Sequence, residues 1–149
     1  MRKHTLLFVL TLFISSGLMA QNKMTIIPTV NSVEVTVNKI TSILKTKGLT
    51  VFDIVDHKKG AESASMELRP TTLIIFGNPK VGTKLMQCDQ TVGADLPMKF
   101  LVWQDGEGKN WIGYYKPSLL ANKYALDDCK AVLEKMDGAL AKFSSVGAQ

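Results

Sequence analysis

At 149 residues the chain has room for one domain of ordinary size. A hydrophobic content of 46% supports a packed core and excludes a disordered chain. The net charge of +5 comes from scattered lysines and arginines that do not interleave with aromatic residues, which argues against a nucleic-acid-binding surface.

The N-terminus reads as a secretory signal peptide over residues 1–20. Arg2, Lys3 and His4 form a basic start, Leu6 to Ile14 is apolar apart from Thr11, and Leu18-Met19-Ala20 precedes polar Gln21-Asn22. The apolar stretch from Thr5 to Ala20 is shorter than the roughly 20 residues a spanning helix needs. No cysteine follows it, so no lipid anchor is expected. Cleavage near Ala20 would leave a single domain over 21–149 with a net charge of +3, placed in the periplasm or outside the cell without a stable membrane anchor.

Met24 to Ile27 is predicted as a first strand, ended by Pro28. Asn31 stands three residues before Glu34, as a capping pair does. Val33, Val37, Ile40 and Leu44 then mark one face of a helix, with Gly48 where a C-terminal glycine cap belongs. The alternation of VEVTV from Val33 to Val37 would also suit a strand; the caps and the continuation to Leu44 favour the helix. Val51 to His57 is β-branched and aromatic enough for a second strand. Lys58 to Leu68 reads as a loop or short helix, and Thr71 to Phe76 as a buried strand. A short helix is expected from Pro79, since proline suits a helix's first turn, with Val81, Leu85 and Cys88 on one face.

Met98 to Gln104 and Asn110 to Tyr115 are predicted strands joined by a hairpin turn at Asp105 to Gly108. A short helical turn opens at Pro117. The last helix is expected from about Leu126 to Phe143, with Leu126, Cys129, Leu133, Met136, Leu140 and Phe143 facing the core. The fold class is therefore α+β, a single domain in β-α-β-β-β-β-α order with an antiparallel sheet covered by helices on one face. Cys88 and Cys129 both fall on apolar helical faces. In an oxidising compartment such a pair forms a bridge. No C-x-x-C arrangement points to redox chemistry instead.

Four segments carry a family resemblance: VFDIVDHKKGA (Val51 to Ala61), LRPTTLIIFGNPKVGTKLMQ (Leu68 to Gln87), DLPMKFLVWQD (Asp95 to Asp105) and YYKPSLLA (Tyr114 to Ala121). Together they resemble the bacterial family called domain of unknown function 302. The resemblance implies a TATA-box-binding-protein-like α/β fold and a homodimer, and no established reaction. The family commonly has Asp where this chain has Lys116 and His where it has Tyr124. Any metal or acid–base role of those positions would be lost here.

Asp56-His57 at a strand end is the best polar pair for acid–base chemistry, although neighbouring strand residues point to opposite faces. With His4 in the signal, His57 is the mature chain's single histidine, so a histidine-rich metal site is excluded. No cofactor is expected. Asn78-Pro79-Lys80 could offer an anion the N-terminus of a helix, or be a plain strand-to-helix turn. Met86, Met98 and Met136 read as core. Two functions follow. The first is a binding module holding a small or anionic ligand in a groove lined by His57, Asn78, Lys80 and Trp103. The second is a hydrolase-like enzyme with His57 as base and Lys80 as electrostatic stabiliser. The absence of a catalytic constellation weighs toward the first.

Overall fold

In the computed structural model, residues 23–149 are described, so the predicted signal peptide lies outside the described residues. From the N-terminal side, β1 (Thr25–Thr29) leads through a short turn into α1 (Val33–Thr46). The helical reading of VEVTV holds because Val35, the middle valine of the alternation, is exposed while Val33, Val37, Ile40 and Leu44 are buried together. The capping residue is Ser32, whose hydroxyl accepts from the Val35 N–H at 3.2 Å, and not Asn31. Asn31 instead accepts from the Lys39 ammonium at 3.3 Å. Gly48 follows the helix with φ of +73°, the left-handed conformation expected of a glycine cap.

β2 (Thr50–Asp56) runs directly into α2 (His57–Ser63), and β3 (Thr71–Gly77) into α3 (Pro79–Cys88). β4 (Met98–Gln104) and β5 (Asn110–Tyr114) form the expected hairpin, and α4 (Lys130–Gly147) closes the domain after two short 3-10 turns. The predicted start of the last helix at Leu126 is a 3-10 turn, Asp127–Cys129, that feeds into α4. The two short helices α2 and α3 stand between strands that the predicted order runs together.

The strands form one antiparallel sheet in the order β1-β5-β4-β3-β2. On one face Ile74 and Phe76 of β3, Phe100 and Val102 of β4, and Ile112 and Tyr114 of β5 pack against the apolar faces of α1 and α4. The rings of Phe76 and Phe100 stack at 5.0 Å, and Tyr114 meets Phe100 edge-on at 5.4 Å. Alternation puts Ile26, Val55, Leu73, Leu101, Trp103 and Trp111 on the other face, half-buried or exposed. A smaller apolar cluster of Leu85, Val92, Leu126, Cys129 and Leu133 joins α3 to the start of α4. Within it the Cys88–Cys129 disulfide forms as expected, with Cα atoms 6.5 Å apart.

Candidate functional site

The four residues singled out from the sequence do not share a groove. Asp56 pairs with Thr72 and Trp103 with Thr71, so His57 and Trp103 belong to the end of the sheet where β3 begins. Asn78 and Lys80 follow Gly77, where β3 ends. The five residue steps from Thr72 to Gly77 span about 17 Å at about 3.4 Å per residue. His57 is exposed at the first position of α2. The Asp56 carboxylate accepts from the Lys59 N–H at 3.1 Å, capping that helix rather than orienting an imidazole. His57 and Lys80 therefore cannot act on one substrate atom, and the geometry that a hydrolase would require of them is absent.

Of the two readings of Asn78-Pro79-Lys80, anion site or plain strand-to-helix turn, the structure favours the turn. The Asn78 side chain accepts from the Lys80 N–H at 3.0 Å, and the Asn78 carbonyl accepts from Val81 and Gly82 at 3.0 and 2.9 Å. Asn78 is a helix cap, as the turn reading held, and these three N–H groups are already satisfied.

What the structure places beside Asn78 is a cavity of about 500 Å³. It opens where the ends of β3 and β4 meet α3 and α4. Its deep lining is Phe76, Leu140 and Phe143, all nearly inaccessible, and its mouth is formed by Phe52 and Met86, which are 52% and 38% exposed. Gly82 and Met86 come from α3, Leu96-Pro97-Met98 from the approach to β4, and Val132, Lys135, Met136 and Ala139 from α4. Of the three methionines predicted as core, Met98 and Met136 do pack against the core clusters and line this space as well, while Met86 is exposed at its mouth. Thioether side chains are flexible enough to fit varied apolar shapes.

Two local features shape the mouth. The ladder between β2 and β3 shifts register between Val51 and Asp53, so Phe52 stands in an irregularity of the strand. Gly77 leaves room for it: a Cβ there would lie 3.2 Å from the Phe52 ring and 3.7 Å from Pro97. Sequence spacing carries no trace of the bulge, and the cavity's walls come from four separate stretches of chain. The lining is almost wholly hydrocarbon. Among the described residues it contains no carboxylate, histidine or cysteine; its charged members are Lys84 and Lys135. Such a site can hold a molecule by apolar burial but offers no general acid–base pair.

Of the two positions where this chain departs from the family pattern, Tyr124 has a side-chain partner. The Tyr124 hydroxyl donates to the Asp95 carboxylate at 3.0 Å, and the Lys123 ammonium donates to the same oxygen at 2.8 Å. The Lys123 hydrogen bond, followed by that of Tyr124, holds the Asp95 carboxyl below the usual carboxylate range. Burial first, and then Asp95, push the Tyr124 phenol up. This network ties the segment after β5 to the approach of β4. Sequence reading missed it, because 28 positions separate Asp95 from Lys123.

A one-sided antiparallel sheet with an apolar cavity at its helix-covered end defines a single α+β domain. The chain belongs to the family described as "Domain of unknown function DUF302", which matches residues 26–143. The crystal structure of an uncharacterized conserved DUF302 protein from Bacillus stearothermophilus has the same fold, with a TM-score of 0.75, 20% identity, and coverage of 85% of this chain and 98% of that one. Among curated proteins, the fluoride-specific ion channel FluC 1 of Brucella suis is 46% identical over 96 residues, which is 64% of this chain. FluC 2 of Brucella melitensis shows the same identity over the same length. The matched region spans 38% and 36% of those two relatives.

Proposed function

We propose that this protein is a non-catalytic binding module that takes a small, largely apolar molecule into the cavity between α3, α4 and the ends of β3 and β4. The observation that carries this reading is the cavity itself: about 500 Å³, within the range of small-molecule sites, with an apolar lining and no acid–base pair. The named activity of the Brucella relatives does not transfer to it. Fluoride is a small, strongly hydrated anion that needs several converging polar donors to leave water, whereas this lining is mostly hydrocarbon and its two lysine heads stay in solvent. No helix among the described residues is long and apolar enough to cross a membrane. We read the shared region as a module that those relatives carry beside their channel.

The test is titration with the neutral dye Nile red. Binding is expected to saturate at one dye per chain. Gly82→Trp is expected to raise the Kd about tenfold or more, because filling the cavity removes the apolar burial that drives binding. The Cβ of that variant has room, its nearest neighbour being Leu96 Cδ1 at 3.7 Å. Far-ultraviolet circular dichroism verifies that the variant is folded. Dye binding that does not saturate, or that survives Gly82→Trp in a folded protein, would overturn the reading.

We also propose that the protein is exported and pairs with a second copy through the sheet face not packed on α1 and α4. Ile26, Leu73, Leu101, Trp103 and Trp111 give that face an apolar character across four strands, and contiguous patches of this kind mark interaction surfaces. Light scattering on residues 21–149 is expected to give twice the monomer mass, falling to the monomer mass in Leu101→Glu. A monomeric unmodified protein would remove the proposal.

A further inference from the structure

We infer that the cavity selects amphiphilic anions, molecules with an apolar body and one carboxylate or similar head, over neutral or cationic molecules of the same size. The inference rests on the binding reading above and adds the ligand's charge to it. Its basis is an asymmetry in the lining. The charged residues there are Lys84, on α3, and Lys135, on α4, with no carboxylate in the lining among the described residues. Both lysines are exposed, so their ammonium groups stay in water while their stems contribute to the wall.

Among the described residues neither lysine forms an ion pair. The ion pairs among the described residues engage Lys58, Lys59, Lys109, Lys123 and Lys130, and leave Lys84 and Lys135 without an acidic partner. Two cations at the edge of an apolar space create a field of one sign, which focuses on a ligand lying between low-dielectric walls. The start of α3 contributes little to this field, because its first N–H groups are already taken by Asn78. The expected ligand thus lays its hydrocarbon against Phe76, Met98, Met136 and Leu140 and leaves its head at the mouth. Discrimination should be modest, because exposed cations are screened: about tenfold for an anion over its neutral analogue at low salt, and less at high salt.

The experiment displaces bound Nile red with decanoate, decanol and decylamine, three ligands that share one chain and differ in head charge. Decanoate is expected to displace the dye at about a tenth of the decanol concentration, with decylamine weakest. The preference is expected to disappear in the double variant Lys84→Gln/Lys135→Gln and to shrink in about 0.5 M salt, where the screening length falls to a few ångströms. Equal potency of decanoate and decanol would overturn the anion inference and leave the apolar-cavity reading standing. So would a preference that survives the double variant, or decylamine as the tightest ligand. Failure of all three to displace the dye would remove the inference together with the reading it rests on.

Discussion

Reduction of the Cys88–Cys129 disulfide is expected to lower the melting temperature by about 15 °C without unfolding the protein at room temperature. The bridge joins positions 41 apart in sequence. Closing a loop of that length restricts the unfolded chain by about 4 kcal/mol on the chain-entropy account. For a domain of this size each kcal/mol corresponds to roughly 3 to 4 °C. The bridge also ties two elements that share only a small cluster of side chains, Leu85, Val92, Leu126 and Leu133, so little else in the core compensates. A calorimetric scan with and without reductant, repeated on Cys88→Ala/Cys129→Ala to separate reduction from side effects of the reagent, measures the shift. A change of less than about 3 °C in both would mean that the bridge constrains little, and a mass fitting two free thiols in the untreated protein would mean that it does not form.

Replacing Phe100 by alanine is expected to destabilise the fold by about 4 kcal/mol. Phe100 is fully buried at the centre of β4, stacked on Phe76 and touched edge-on by Tyr114. The substitution removes the ring's apolar burial, both aromatic contacts and the support under α1 and α4, and the surrounding sheet cannot collapse to fill the space. Phe52→Ala provides the control. That ring is 52% exposed, so its loss should change stability by about 0.5 kcal/mol or less while altering the cavity mouth. Urea unfolding reads both: the midpoint of Phe100→Ala should fall with its slope unchanged. A loss below about 2 kcal/mol would show that the aromatic cluster is not the centre of the core.

The sequence and the structure agree where short-range periodicity carries the signal. Val33, Val37, Ile40 and Leu44 identify α1 because a buried helical face repeats every three or four residues. Leu133, Leu140 and Phe143 identify α4 by the same rule. The cysteine pairing was legible because both residues lie on such faces. Capping is less sharply written: Asn31 and Ser32 are both good caps, and the hydrogen bond that the Ser32 hydroxyl accepts from the Val35 N–H decides for Ser32. The site was the least legible part. Its most conspicuous polar residues, His57 and Lys80, sit at opposite ends of β3, and nothing in their local sequence records that strand's direction. The cavity depends on a bulge at Phe52, on the path of Leu96-Pro97 and on the approach of α4. Each of these is set by tertiary packing, so spacing identifies Met98 and Met136 as core residues but not the cavity that they also line.

Among the described residues β1 is the first strand to be synthesised, and the strand it pairs with is the last. Its partner, β5, lies more than 80 residues further along the chain, whereas β2, β3, β4 and β5 are each paired with the strand before or after them. Its far end is then fastened from still later in the chain, where the Ala148 carbonyl accepts from the Thr29 hydroxyl at 3.2 Å and from the Val30 N–H at 3.4 Å. At about 5 to 20 residues per second, a ribosome leaves β1 without a partner for about 4 to 16 seconds. β1 therefore gains its pairing strand only once β5 has been made, and the fastening of its far end waits for Ala148.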